Sequence, residues 1–129
     1  MSIAVKLSEL GDAVAKFRFA YLLTVSDDNR AHALAVQPVL AGDRIEVAGF
    51  GQRTRANAAA RPAVTLLWPP VDIDGYSLIV DGESVLVDDA LSVSPTRAVL
   101  HRPAPNPRTG SACLADCVEL PVTGDERGR

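Results

Sequence analysis

Turn-forming residues interrupt this chain at intervals too short for anything but strands and brief helices. Asp27-Asp28-Asn29, Ala41-Gly42-Asp43 and Asp88-Asp89 carry the chemistry of tight reversal. Asn and Asp side chains bond their own backbone, and Gly takes left-handed angles without strain. Between the reversals lie apolar, partly β-branched runs: Tyr21 to Ser26, Ala31 to Leu40, and Ile45 and Val47 alternating with Arg44 and Glu46. Val64 to Trp68, Tyr76 to Val87 and a last run from Leu91, with Pro95 marking an edge or bulge, complete the set. Such short reversals join antiparallel neighbours, because parallel strands need long crossovers. Helices are expected at two positions. Leu7, Leu10, Val14 and Phe17 recur at helical spacing with Ser8 as the cap, and the alanine-rich Thr54 to Ala60 runs until Pro62 forces Arg61 out of the α region. The fold class is therefore mainly β: about six strands forming a closed or nearly closed antiparallel barrel with few helices.

One core suffices for 129 residues, since two would each be marginal against chain entropy. The domain is expected to span 1–122, with 123–129 as a charged, frayed tail. A net charge of -3 gives no basic field for nucleic acid or an anionic membrane, so neither is expected as a partner, and a phosphate would have to be held locally. No run reaches the roughly 18 apolar residues of a bilayer span, and Met1 to Lys6 lacks a secretory signal's apolar stretch. The expected location is the cytoplasm. Tyr76 to Val80 is apolar at nearly every position, which leaves neither face for water and points to a homodimer burying the second one.

The strongest local chemistry lies at Gly51-Gln52-Arg53-Thr54-Arg55-Ala56-Asn57. There a glycine-rich strand end runs into a helix start, whose unpaired backbone N–H groups attract anions. Arg53 and Arg55 offer planar cationic forks, and Thr54 and Asn57 neutral hydrogen bonds. The same residues also suit solvated surface arginines with Thr54 capping the helix and Asn57 bonding its own backbone. Trp68 fits a stacking platform for a flat ring, or an anchor of the core or of an interface, the interface being preferred. His32 has no carboxylate or nucleophile at a recognisable spacing. His101, Cys113 and Cys117 do not form a standard zinc pattern, since the cysteines are spaced C-x3-C, and no metal site is expected. The acidic residues Asp72, Asp74, Asp81, Glu83, Asp88 and Asp89 fall mostly at turns.

Several phrases in order resemble the pyridoxamine 5'-phosphate oxidase-like family of flavin-binding split barrels. They are Tyr21-Leu22-Leu23-Thr24-Val25-Ser26-Asp27-Asp28 leading to Ala31-His32, Asn57 five residues before Pro62, Val64-Thr65-Leu66, and Tyr76-Ser77-Leu78-Ile79-Val80-Asp81-Gly82-Glu83. The resemblance spans roughly Phe19 to Val87. It implies a six-stranded, dimeric split barrel with flavin mononucleotide (FMN), or the deazaflavin F420, in a groove between subunits. It further implies cofactor contacts from Gln37, facing the flavin ring, and from Gly51, Gln52, Arg53, Thr54, Arg55, Asn57 and Trp68. One departure stands out. The family commonly holds the cofactor phosphate with a Lys three residues before the Asn, and here that residue is Thr54. Either Arg53 or Arg55 supplies the charge from a neighbouring position, or this chain has lost flavin mononucleotide and holds something else or nothing. The expected activity is an oxidoreductase using FMN or F420, with no catalytic side chain assignable, because such cofactors carry the hydride chemistry themselves. The alternatives are a non-catalytic flavin-, F420- or haem-binding protein and a cofactor-free structural homodimer.

Overall fold

The structure, a computed structural model, describes residues 1–103. Its elements in chain order are β1 (Ser2–Ala4), a single 3-10 turn (Leu7–Glu9), α1 (Leu10–Val14), β2 (Ala20–Val25), β3 (Ala31–Val36) and β4 (Val39–Ala41). There follow β5 (Arg44–Val47), α2 (Gln52–Ala60), β6 (Ala63–Trp68), β7 (Ser77–Val87) and β8 (Ala90–His101). The expected end of the domain at 122, the tail 123–129, Cys113 and Cys117 lie outside the described residues. No described helix is long and apolar enough to cross a membrane.

All eight strands join one antiparallel sheet in the order β3-β2-β6-β7-β8-β5-β4, with β1 pairing the far end of β8. The mainly β, barrel-like architecture agrees with the sequence reading, whereas the strand count does not. Two strands were not anticipated as separate elements. β1 is three residues long and has no alternation to reveal it. The run Ala31 to Leu40 breaks into β3 and β4 at Gln37-Pro38, because proline has no N–H to continue a ladder.

That two-residue break shapes the whole molecule. β3 and β4 are the two edges of the seven-strand path. Laid flat at about 4.8 Å per strand, those edges would stand about 29 Å apart. The backbone from Val36 to Val39 spans at most about 11 Å. The sheet therefore curls until its edges nearly meet, and because β3 and β4 do not pair, the barrel stays split along that line.

Alternation along the strands places Leu22, Leu66, Trp68, Leu78, Val80, Ile45, Leu91 and Val93 inside, each essentially without solvent exposure. The outward row is also apolar: Tyr21 pairs with Leu67, and Leu67 with Ile79. The long β7–β8 ladder carries a bulge between Asp81 and Gly82, opposite Pro95, where the sequence places an edge or bulge. A Cβ on Gly82 would stand 2.6 Å from the Ser94 carbonyl oxygen and 2.6 Å from Val93 Cγ1. The ladder can close there only around glycine.

The opening helix is shorter than its apolar spacing suggests, and Ser8 does not cap it. Lys6 precedes the 3-10 turn without a side-chain bond, and Ser8 lies inside that turn. α2 begins at Gln52, two residues earlier than expected, and ends before Pro62 with Arg61 extended at φ -135°, ψ 92°.

Candidate functional site

α2 lies against β2 and β7, burying Thr54, Asn57 and Ala58. These positions, at i, i+3 and i+4, make one helical face. Asn57 Nδ2 donates to Thr24 Oγ1 at 3.1 Å in the core, pinning the helix to β2. At the helix end, the Arg61 guanidinium donates to the Val25 carbonyl at 2.9 Å and to Asp27 Oδ1 at 2.6 Å, which ties α2 to the hairpin joining β2 and β3. Asn29, at φ 64°, makes the left-handed step of that hairpin, a conformation Asn tolerates better than most residues.

Between α2 and the hairpin runs a groove of about 820 Å³. Its helix wall is Gln52, Arg53, Ala56, Asn57 and Ala60, and its hairpin wall includes Ser26, Asp28, Arg30 and His32. The alanines at 56 and 60 leave the space open. Gly51, at the N-cap, has no side chain to bond the first turn, and the first intrahelical bond runs from the Arg55 amide to the Gly51 carbonyl at 3.1 Å. The amides of Gln52, Arg53 and Thr54 precede that bond and lack helical partners, so the positive end of the helix dipole sits at the groove. Arg53 is exposed and makes no hydrogen bond or ion pair among the described residues.

Two acids line the groove, Asp27, paired with Arg61, and Asp28. The Ser26 hydroxyl donates to Asp28 and holds that carboxyl below its ordinary value of 3.8; desolvation opposes the shift, and the amides of Asp28 and Arg30 and the charge of Arg53 add to it. The hairpin wall escaped the sequence reading because Ser26, Asp28 and Arg30 look like ordinary turn residues until the fold brings α2 opposite them.

The structure separates the residues that the sequence grouped together. Gly51, Gln52, Arg53 and Asn57 are at the groove or its rim, although the Asn57 amide is already engaged by Thr24. Thr54 is buried at 1% exposure and neither caps the helix nor faces the groove. Arg55 turns away: its guanidinium donates to the Asp88 carbonyl at 3.3 Å, lies 3.7 Å from Asp89 and covers the Phe50 ring at 5.6 Å. Trp68 is neither a stacking platform nor an interface anchor, because at 2% exposure its ring is core. Gln37 lies in a different groove, at the split, with Arg18, Phe19 and Glu46. His101 hydrogen-bonds Ser2 at 2.9 Å.

No protein-family model matches the sequence. Uncharacterized proteins of Mycobacterium bovis and Mycobacterium tuberculosis are each 44% identical to it over 136 aligned residues, which cover 92% of this chain and 96% of theirs. The chain belongs to their family. Among solved structures it is similar to an FAD-binding protein of Mycobacterium smegmatis, with TM-score 0.58 and 18% identity over 79% of this chain and 100% of that one. A Listeria innocua protein provisionally named as a pyridoxamine 5'-phosphate oxidase aligns with TM-score 0.62 and 12% identity, over 73% of this chain and 96% of that one. An F420 reductase aligns with TM-score 0.53 and 17% identity over 62% and 87%. The fold is thus the pyridoxamine 5'-phosphate oxidase-like split barrel, shared with proteins named as an FAD-binding protein, a pyridoxamine 5'-phosphate oxidase and an F420 reductase.

Proposed function

We propose that this protein is a cytoplasmic, homodimeric oxidoreductase that binds FMN, or alternatively F420, with the cofactor phosphate on the first turn of α2. The observation that carries this reading is the unpartnered Arg53 guanidinium, placed beside unpaired helix amides on a groove with room for a flavin-sized ligand. Arg53 replaces the lysine charge that the family carries at the position of Thr54. Bound there, the cofactor would supply hydride transfer, and the protein would supply binding and orientation. The apolar outer row of Tyr21, Leu67 and Ile79 supports pairing with a second copy, which would cover that face and wall the groove from outside. Net charge supports neither nucleic acid nor an anionic membrane as partner.

The burial of Thr54 favours one second reading, a homodimer on the same fold that has lost its phosphate lysine and holds no flavin. Titration of the protein with FMN and with F420, read by quenching of cofactor fluorescence, separates the two. Binding of either that weakens roughly 10- to 100-fold in Arg53→Gln, and little in Arg55→Gln, supports the cofactor reading. Absence of binding by both cofactors, or equal losses in the two variants, overturns it.

A further inference from the structure

The tip of the β2–β3 hairpin is braced within itself. The Ser26 amide donates to the Arg30 carbonyl at 3.0 Å, the Asn29 amide to the Ser26 carbonyl at 2.9 Å, and the Arg30 amide to Ser26 Oγ at 3.3 Å. The Ser26 hydroxyl meets Asp28, and the Arg30 guanidinium lies 3.4 Å from the same carboxylate. All of these contacts close within residues 26–30, so they fix the shape of the tip and leave its position to other bonds.

Few such bonds exist. The ladder from β2 to β6 stops at Leu23, opposite Thr65, and β3 is an edge strand that pairs with β2 alone. Beyond Thr24, which Asn57 pins, one side chain among the described residues hydrogen-bonds the tip to the body of the molecule. That side chain is Arg61, which donates from Nε to the Val25 carbonyl at 2.9 Å and from its terminal nitrogen to Asp27 Oδ1 at 2.6 Å. Arg61 stands at the C-terminal end of α2 and does not itself line the groove. It therefore closes one end of that groove, while no bond crosses the other end, at Gln52 and Arg53, among the described residues.

We infer that Arg61 is a positioning residue, a latch that holds the braced hairpin as a wall and so sets the width of the groove on α2. A guanidinium suits the task because its planar fork reaches a carbonyl and a carboxylate together. The two side chains are 37% and 94% exposed, and ion pairs this open to water add little to folding stability. Breaking the latch should thus widen the groove and spare the fold. The inference rests on the proposed function only for the ligand of its second measurement.

The first measurement is the hairpin-to-helix distance, read by pulsed electron paramagnetic resonance from nitroxide labels at Arg30→Cys and Ala59→Cys, both exposed positions. The labels are carried on the full chain with Cys113→Ser and Cys117→Ser. One narrow distance is expected in this background, and a longer, broader one in Arg61→Gln and in Asp27→Ala, with an unfolding midpoint close to that of the background. Combining the two changes should widen the groove no further than Arg61→Gln alone, since both break one contact. The second measurement is titration of the unlabelled protein with FMN and with F420, where Arg61→Gln should weaken binding about tenfold through loss of a preformed wall. An unchanged distance in Arg61→Gln overturns the inference, as does widening confined to Arg61→Gln and absent from Asp27→Ala. A widened groove that binds cofactor as tightly as the native one overturns it too. If the groove widens as expected and neither cofactor binds any form of the protein, the latch stands and the proposed function falls.

Discussion

Replacing Asn57 with alanine separates a structural peg from a cofactor ligand. Asn57 and Thr24 are 5% and 1% exposed, and their side chains meet at 3.1 Å. Truncating Asn57 leaves the Thr24 hydroxyl buried with no donor, and stranding such a group costs about 1–3 kcal/mol. Taking the middle of that range, a loss of about 2 kcal/mol lowers the melting temperature of a domain this size by roughly 10 °C. The perturbation is local, so the urea dependence of unfolding should keep its slope while the midpoint falls. Adding Thr24→Val removes the stranded hydroxyl at nearly constant shape. The double variant should then be no less stable than Asn57→Ala alone, which is strong non-additivity of the kind expected for residues in contact. Urea unfolding followed by far-ultraviolet circular dichroism measures all four proteins. If Asn57→Ala unfolds within about 0.5 kcal/mol of the native protein, or the two losses simply add, the peg does not exist, and the Asn57 amide is free to serve the groove.

Two further predictions concern the hairpin and the core. The Asp28 carboxyl is held below 3.8 chiefly by the Ser26 hydroxyl. A depressed folded value means that its contribution to stability is present above the unfolded value and is lost as pH falls through the lowered one. NMR titration of the Asp28 carboxyl carbon should therefore find a midpoint below 3.8, moving upward in Ser26→Ala; a midpoint that does not respond to that change would remove Ser26 as the cause. Trp68→Ala should destabilise by about 3–5 kcal/mol in thermal or chemical unfolding, whatever the protein concentration, because the ring is core. A stability loss confined to dilute protein would return Trp68 to an interface.

Much of the fold was legible because the turns are. Asp27-Asp28-Asn29 and Asp88-Asp89 mark reversals where the structure has them, with Asn29 and Asp88 both at positive φ, and Pro62 stops α2 as steric reasoning requires. The site was legible only in part, for a reason of phase. With α2 begun at Thr54, Arg53 falls in the preceding turn and can share a direction with Arg55. Once the helix begins at Gln52, the two arginines are two helical residues apart, about 200° around the axis, and face opposite ways. The alanine run gave no signal for the earlier start, because Gln52 and Arg53 are compatible with either a turn or a helix. Trp68 misled for a related reason. Val64 to Trp68 carries apolar Leu67 beside a single polar residue, Thr65, on its second face, so alternation only weakly reveals that Trp68 shares its phase with the buried Val64 and Leu66. The groove at the split was invisible to the sequence, since it gathers Arg18, Gln37 and Glu46 from strand ends that become neighbours only when the sheet curls.

The link at Gln37-Pro38 acts as a ruler. Because those two residues tether the edges of the sheet, the width of the opening beside them is set by chain length, and the surrounding side chains only decorate it. A relative that kept every wall residue but carried a longer connection would admit a bulkier guest, and one in which β3 and β4 paired directly would admit none. Within this architecture, insertions at one point of the backbone offer evolution a way to change what the cleft accepts while the core, the ladder and α2 stay as they are.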